Sequence, residues 1–347
     1  GDVFGNGMLL SDQIRLVAAF DHRDVFVDPD PDPTRSHAER ARLFAAPGSS
    51  WAAYDPELIS PGGGVFSRAA KRVELSPQAR RALGTEATTV TPAELVAIVL
   101  RAPVDVLWNG GIGTYVKAST ESHDDAGDRA NDAVRADAGE LRARVVVEGG
   151  NLGLTQRGRV EYAAAGGRLF TDFIDNSGGV NCSDREVNLK ILLGLAGQRG
   201  ELGPEERDRL IEDVAPDVVE QILRASFLQA RILSIEEAAS PDRLDSYEEL
   251  IGNLEEAGLL DRALEALPDG DELAARSRSG TGLTRPELAV LLAHEKRRLT
   301  GIVARSPLSG DPYLAADLEE YFPAEIVARF GNVLADHPLR PRLIATL

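Results

Sequence analysis

The sequence predicts an α/β fold, in which an open, mostly parallel sheet is followed by an all-α region. Up to about residue 180, compact apolar runs alternate with helical stretches, and each run ends in polar residues or glycine. This texture is typical of strands that are buried on both faces of a parallel sheet. Beyond about residue 183, long helical patterns replace the short runs. We therefore divide the 347-residue chain into residues 1–182 and residues 183–347.

Four apolar runs are the candidate strands of the sheet. In chain order they are Ile14–Asp21, Val104–Asn109, Arg144–Gly150 and Gly167–Asn176. Helical patterns lie between them, one of which begins at Thr91 or Pro92. Because parallel strands need such crossover helices, the alternation predicts that the strands run in the same direction.

The second half of the chain shows helical periodicity without strand signals. One long stretch covers Asp213–Ala239, and another covers Leu283–Leu299. In the second stretch, Thr284 is a candidate N-cap, with Glu287 three residues later. This spacing is that of a capping box, in which the two residues satisfy each other's backbone amides. We expect residues 183–347 to be almost entirely helical.

Composition narrows the classes of partner and compartment. The formal net charge of −18 would repel the phosphates of nucleic acid and of anionic membranes, so neither is expected as a partner. No apolar run reaches the roughly 18 residues that a membrane helix needs. The single cysteine, Cys182, excludes an internal disulfide framework and favours a reducing cytoplasm. We expect Cys182 to be a small buried residue.

Polar residues and glycines follow each candidate strand, where ligands of open parallel sheets bind. Asp21 and His22 follow the first strand, and Asn109 and Gly110 the second. Glu148 and Asn151 follow the third, and Asn176 ends the fourth. Each of these residues is also compatible with a turn or cap. Their recurrence at four strand ends predicts a dinucleotide-binding crevice, in which Asp21 binds the ribose hydroxyls of an adenosine and His22 lies nearby.

The opening stretch GDVFGNGMLLS, Gly1–Ser11, resembles a glycine-rich phosphate turn that runs into a helix. The amides at a helix N-terminus favour an anion, so Gly1 and Asp2 are candidate neighbours of a pyrophosphate. Asp2 would have to face away from that anion, since its own charge is negative. Gly7 is expected to be a packing residue within the helix.

Four longer motifs carry a specific resemblance. They are WNGGIGTYVKAS from Trp108, EGGNLGLTQRGRVEYA from Glu148, TDFIDNSGGVNCSDREVNLKILL from Thr171 and LTRPELAVLLA from Leu283. Together they resemble the large NAD-specific glutamate dehydrogenases of bacteria, and the resemblance extends over nearly the whole chain. It implies a Rossmann-like NAD-binding domain over residues 1–182, with Gly1 as the last glycine of the phosphate turn, and a helical region over residues 183–347.

The resemblance also implies a reaction and a set of site residues. The reaction is the NAD-dependent oxidative deamination of L-glutamate to 2-oxoglutarate and ammonia. Asn151 and Asn176 match positions near the nicotinamide and its ribose, and Ser183 matches a serine that binds the substrate's γ-carboxylate. A helix N-cap is the alternative interpretation of Ser183. The cofactor-binding residues predicted in all are Gly1, Asp2, Asp21, His22, Asn109, Gly110, Asn151 and Asn176.

No catalytic residue and no metal ligand is assigned to this chain. The family's catalytic lysine and aspartate belong to a substrate domain upstream of the nucleotide domain, so the isolated chain is expected to be inactive. The full-length enzyme is expected to be a cytoplasmic homo-oligomer. Two alternatives stay open: another amino-acid dehydrogenase of the same superfamily, and a non-catalytic NAD-binding or assembly module.

Overall fold

The computed structural model describes Phe4 and residues 6–346. The predicted ligands Gly1 and Asp2 lie outside the described residues. The chain divides into two compact units, Gly1–Asp172 and Phe173–Leu347, earlier in the sequence than the predicted boundary after residue 182. The first unit mixes helices with small sheets, which confirms the α/β class. In its described residues the strands form sheets of only two or three strands, so one open parallel sheet stays a prediction.

The first sheet is antiparallel. Its strands are β1 (Ala18–Phe20), β2 (Asp24–Val27) and β3 (Gly64–Ser67), in that order across the sheet. The candidate strand Ile14–Asp21 was expected to be parallel to its neighbours, and this expectation is wrong for β1. The chain reverses immediately after β1 because the Asp21 side chain accepts hydrogen bonds from the backbone amides of Arg23 and Asp24 at 2.7 and 2.8 Å.

The remaining strands form pairs. A short antiparallel pair joins β4 (Val73–Glu74) to β5 (Thr89–Val90). The other strands are β6 (Val106–Asn109), β7 (Val116–Lys117), β8 (Ala136–Asp137) and β9 (Val145–Glu148). They make two parallel pairs, β6 with β9 and β7 with β8.

Two details of the predicted strands differ from the structure. Only Arg168 of the run Gly167–Asn176 joins a strand, through a parallel bridge to Val145, and Asp172–Asp175 is helical. The expected burial on both faces is wrong for β6, in which Val106 is 51% and Trp108 39% exposed. Because successive side chains of a strand point to opposite faces, Val106 and Trp108 share one face of β6, and this face is exposed.

The helices of the first unit are α1 (Pro33–Ala45), α2 (Pro77–Leu83), α3 (Pro92–Leu100), α4 (His123–Ala126) and α5 (Gln156–Ala164), and the short helix α6 (Asp172–Asp175) begins at the last residue of the unit. Thr91 is the N-cap of α3, as the sequence indicates, and its backbone amide donates to Glu94 at 2.7 Å. Leu95 and Val96 of this helix pack against Val25 of β2 in one buried cluster. Near the candidate site, Val146 of β9 is in a second cluster with Tyr162 of α5.

The second unit consists of helices and connecting turns, with no strand among its described residues. Its helices are α7 (Ser177–Gln198), α8 (Pro204–Ala239), α9 (Leu244–Glu256), α10 (Gly270–Ser279), α11 (Arg285–Arg305), α12 (Ala315–Tyr321), α13 (Ala324–Leu334) and α14 (Arg340–Thr346). Leu192 of α7, Leu210 of α8 and Phe330 of α13 belong to one buried core. Among the helices of the described part of the chain, none has the length and hydrophobicity needed to span a bilayer.

The predicted capping box of α11 has a second role. The Glu287 carboxylate accepts from the Thr284 amide at 2.6 Å and from the two terminal nitrogens of Arg276 at 2.8 and 2.9 Å. Glu287 is fully buried. Because Arg276 comes from α10, this one carboxylate both caps α11 and joins it to the preceding helix.

We expect Glu287→Ala to lower the free energy of unfolding by about 3 kcal/mol, because it leaves the Arg276 cation without its buried partner. The matched control is Glu295→Ala on the same helix, which removes a more exposed ion pair with Arg298 and should cost about 1 kcal/mol or less. Urea unfolding of both variants measures the difference. Equal losses would show that the Glu287 cluster is no stronger than a surface pair.

Candidate functional site

The carboxyl ends of β6 and β9 form one edge of the first unit. The two strands are parallel and in register, with Asn109 opposite Glu148. Each strand is followed by a glycine-rich loop, residues 109–113 after β6 and residues 149–153 after β9. The two loops are joined directly, since the Gly150 amide donates to the Asn109 carbonyl at 2.9 Å. The structure thus brings the predicted residues Asn109, Gly110 and Asn151 to the same edge.

The two loops approach each other more closely than side chains would allow. A Cβ atom at Gly150 would lie 2.4 Å from the Gly111 carbonyl oxygen. A Cβ atom at Gly153 would lie 1.8 Å from the side-chain nitrogen Nδ2 of Asn109. Beside Gly111, by contrast, a Cβ atom would meet no described atom within 4 Å. The glycines therefore permit close loop packing at two positions and leave open space at a third.

Trp108 connects the opening segment of the chain to this edge. Its indole ring occupies the space that a Cβ atom would need at Gly7, Gly110 and Gly149, with closest approaches of 2.3, 2.8 and 3.0 Å. The predicted packing role of Gly7 therefore has a physical basis. The segment around it forms a 3-10 turn, Asn6–Leu9, where the sequence favoured a longer helix.

The loop after β9 contains a strained residue. Leu152 has a φ of 58°, in the left-handed region, which costs a non-glycine residue roughly 1–2 kcal/mol. Its side chain is 64% exposed, so burial of the leucine does not offset this cost. The backbone is held from both sides: the Leu152 amide donates to Asp172 at 2.8 Å, and its carbonyl accepts from the Thr114 hydroxyl at 2.8 Å. The conformation is over-determined by its neighbours, as strained functional loops are.

A buried ion cluster supports this loop from below. Arg159 of α5 donates to the two carboxylate oxygens of Glu148 at 2.7 and 2.8 Å, and its Nη2 atom lies 3.2 Å from Asp172 Oδ1. Burial alone would lower the pKa of Arg159, but the hydrogen bonds and charges of Glu148 and Asp172 hold this pKa above its ordinary value. Glu148 also accepts from the Leu154 amide at 3.0 Å.

The cluster changes the interpretation of Glu148. The sequence placed this carboxylate among the residues that follow a strand at the ligand edge, but it is fully buried and points into the protein. Sequence reasoning did not identify Arg159 or Asp172, the residues that bind it. The sequence signal for the ion pair was weak, because it consisted only of an arginine eleven positions after Glu148.

Asp21 and His22 lie in the hairpin turn between β1 and β2. One Asp21 oxygen, Oδ1, accepts the two turn amides, while Oδ2 is buried and has no hydrogen-bond partner among the described residues. His22 is exposed, and its Nε2 atom accepts from Arg23 at 2.9 Å. Phe20, just before the turn, packs edge-on against Tyr115, with ring centroids 5.3 Å apart. The structure thus gives Asp21 a turn role and leaves one of its oxygens unbonded.

The two other predicted residues belong to the second unit. Asn176 is the N-cap position of α7, and Ser183 lies in the second turn of that helix with an exposed side chain. The N-cap interpretation of Ser183 is therefore wrong, because α7 begins at Ser177. Among the described residues, the Ser183 hydroxyl has no hydrogen-bond partner. Cys182 is exposed, so its expected burial is also wrong for this chain.

Comparison with known proteins shows which family the chain belongs to. The family model for the bacterial NAD-glutamate dehydrogenase catalytic domain matches residues 1–236, and the model for the glutamate dehydrogenase C-terminal region matches residues 280–347. These matches define an α/β chain of the dehydrogenase class. The chain belongs to the bacterial NAD-glutamate dehydrogenase family, and the resemblance seen in its motifs is confirmed.

Similar curated proteins are much longer than this chain. The NAD-specific glutamate dehydrogenases of Pseudomonas aeruginosa and Halomonas elongata are each 48% identical to it over 346 residues. That of Mycobacterium tuberculosis is 47% identical over 353 residues. Each comparison covers 100% of this chain but only 21–22% of the relative.

The strain at Leu152 predicts an inverted preference for glycine. At an ordinary exposed helix position, glycine is about 1 kcal/mol less favourable than alanine. At Leu152 we expect Leu152→Gly to be more stable than Leu152→Ala by about 1 kcal/mol, because only glycine adopts the positive φ without a steric cost. Thermal unfolding of the two variants compares them. A more stable alanine variant would mean that the loop is not held in this conformation.

Proposed function

We propose that this chain supplies the cofactor domain and part of the substrate pocket of an NAD-dependent glutamate dehydrogenase. The reaction is the oxidative deamination of L-glutamate to 2-oxoglutarate and ammonia. The observation that carries the proposal is the edge shared by β6 and β9, where Asn109, Gly110 and Asn151 meet beside the opening segment of the chain. Membership of the family supplies the reaction, and the relatives are named as NAD-specific.

The parallel pairing supports a Rossmann-like arrangement for the cofactor domain. The β6–β9 pair, the β7–β8 pair and the bridge between Val145 and Arg168 all run parallel. In parallel α/β sheets, a dinucleotide lies across the carboxyl ends of the strands. In this proposal residues 1–182 form the NAD-binding domain, residues 183–347 form the helical region, and the full-length enzyme is a cytoplasmic homo-oligomer.

The described residues fit a dinucleotide in two respects. The space beside Gly111 is open, so a ligand can approach the backbone there. The buried Oδ2 of Asp21 has no hydrogen-bond partner among the described residues, and a ribose hydroxyl would supply one. When bound, NAD would accept the hydride from the substrate's α-carbon.

The chain's own residues bind and orient in this proposal. Asn151 and Asn176 carry amide groups that donate and accept, which suits them to the nicotinamide carboxamide and its ribose. Gly1 and Asp2 would belong to the phosphate turn, and Asn109, Gly110 and His22 would complete the cofactor contacts. Ser183 would donate a hydrogen bond to the γ-carboxylate of glutamate. No catalytic residue and no metal ligand is assigned to this chain.

Cofactor choice tests the role of Asp21. In the full-length enzyme, Asp21→Ser should raise the ratio of NADP to NAD use by about tenfold or more, because a carboxylate repels the additional 2′-phosphate. Serine keeps an oxygen that can accept the turn amides. The control is Asp30→Ser, which removes an exposed carboxylate paired with Arg15. An unchanged ratio in the Asp21 variant would remove Asp21 from the ribose site.

Substrate choice tests the role of Ser183. In the full-length enzyme, Ser183→Ala should lower kcat/KM for glutamate by roughly ten- to a hundredfold, because a charge-assisted hydrogen bond is lost. Activity on norvaline, which has no γ-carboxylate, and affinity for NAD should change little. The melting temperature should not fall, since alanine is the better helix former within α7.

The matched control is Ser234→Ala, in which the lost hydroxyl donates, among the described residues, only to the Ala230 carbonyl of its own helix, at 2.9 Å. This variant should leave both substrates unaffected. Equal losses on glutamate and norvaline in Ser183→Ala would contradict the assignment of the γ-carboxylate contact.

A further inference from the structure

Tyr321, the last residue of α12, makes several contacts with the first half of α7. Its side chain is buried, with the whole residue 7% exposed. The hydroxyl donates to the Asp184 carboxylate at 2.7 Å and accepts from the Asn188 side-chain amide at 3.0 Å. Burial and the Asp184 carboxylate both raise the pKa of Tyr321, so the phenol keeps its proton and remains a donor. Two α7 residues are thus bound to a single oxygen atom.

Arg185 is held by other parts of the same tyrosine. Its guanidinium lies 4.6 Å from the centre of the Tyr321 ring, within the range of a cation–π contact. The same guanidinium donates to the Tyr321 carbonyl and, at 2.6 Å, to the Gln221 side chain of α8. The hydroxyl, ring and carbonyl of Tyr321 therefore fix three residues on one side of α7.

His337 adds a second contact from the C-terminal region. Its Nδ1 atom accepts from the Leu339 amide at 3.2 Å, so the proton of the neutral ring is on Nε2. That Nε2 atom lies 3.2 Å from the Asn188 carbonyl and donates to it. Both His337 and Asn188 are almost fully buried. On this side of α7 the Asn188 side-chain nitrogen and backbone carbonyl thus have defined partners in a buried environment, whereas its Oδ1 atom has none among the described residues.

Ser183 lies on the adjoining, exposed face of the same helix. Val180, Ser183 and Val187 share this face at helical spacing, and the two valines are 70% and 53% exposed. Asp184 follows Ser183 directly in the chain. Because a helix turns as a rigid body, fixing the side that carries Asp184, Arg185 and Asn188 also fixes the position of the Ser183 Cβ atom, from which the hydroxyl extends.

We propose that Tyr321 is a positioning residue for Ser183: it sets the rotation and depth of α7, and thereby the direction in which the serine hydroxyl meets the substrate carboxylate. The inference rests on the proposed function of Ser183. It gives the C-terminal region a task in the reaction, since Tyr321 is within residues 280–347 and α7 is within residues 1–236 of the two family matches. A hydrogen bond to a group that is misplaced by a fraction of an ångström loses much of its strength.

The experiment compares two tyrosines in the full-length enzyme. Tyr321→Phe removes only the hydroxyl and keeps the ring beneath Arg185. The matched control is Tyr247→Phe, because the Tyr247 hydroxyl also donates to a carboxylate, Glu236 at 2.6 Å, but between α9 and α8. We expect Tyr321→Phe to raise KM for glutamate roughly fivefold, with kcat and KM for NAD within about twofold. Tyr247→Phe should leave all three constants unchanged.

Activity on norvaline separates positioning from general destabilisation. Tyr321→Phe should leave kcat/KM for norvaline unchanged, because that substrate has no γ-carboxylate for Ser183 to bind. If the two tyrosine variants lose similar melting temperature and neither alters glutamate kinetics, Tyr321 is only a structural residue and the inference is overturned. A parallel loss on glutamate and norvaline overturns it equally.

A double variant distinguishes this inference from the proposed function beneath it. In Ser183→Ala/Tyr321→Phe, the effect of the second change on glutamate KM should disappear, because the hydroxyl that Tyr321 positions is absent. If Ser183→Ala alone has no effect on glutamate, the proposed function of Ser183 fails. If Ser183→Ala has its effect and Tyr321→Phe has none, only the positioning role fails.

A second variant tests the proposal in case Tyr321→Phe folds poorly. Arg185→Lys keeps the positive charge but loses the planar guanidinium, which lies over the Tyr321 ring while its Nη1 atom donates to both Tyr321 and Gln221. Like Tyr321→Phe, this variant should raise KM for glutamate and leave kcat/KM for norvaline unchanged. Unchanged glutamate kinetics in a folded Arg185→Lys enzyme would contradict the proposal.

Discussion

The contact between Arg159 and Glu148 is the interaction on which the candidate cofactor edge depends. It joins the end of β9 to α5 through two hydrogen bonds in a buried environment, and Asp172 extends it to α6. A buried charge that loses its partner is strongly destabilising, so the stability of the cluster requires all three side chains. The loop of residues 149–153 begins and ends on this cluster, and its shape follows from it.

The cluster explains how an exposed loop can hold an unfavourable conformation. Leu152 has a positive φ, yet the carboxylates of Asp172 and Glu148 accept the amides of Leu152 and Leu154 and leave the chain between them little freedom. A loop that is ordered before its ligand arrives does not lose that conformational freedom on binding. The strain at Leu152 is therefore consistent with a loop shaped for a ligand rather than for stability.

Local signals predicted β6 and β9, because a short apolar run that ends in glycine specifies a strand without knowledge of the rest of the fold. The antiparallel course of β1 was missed since it depends on how the Asp21 carboxylate folds back onto the next amides. The start of α7 was placed too late because Gly178 and Gly179 disfavour a helix locally, whereas packing against α8 and α13 outweighs that preference. The partners of Arg159 depend on tertiary structure, which a single sequence does not display.

The two units hold their predicted ligand-binding residues by the same principle but with different chemistry. In the first unit, Asn151 is in a loop in which the amides of Leu152 and Leu154 donate to Asp172 and Glu148, and Arg159 compensates the buried charge of these carboxylates. In the second unit, Ser183 is on a helix whose backbone already satisfies itself. In the proposed arrangement only rotation and depth have to be fixed there, and the neutral phenol of Tyr321 would do so without burying an ion pair. Whether the local backbone amides need side-chain acceptors thus decides which kind of buried cluster supports each residue.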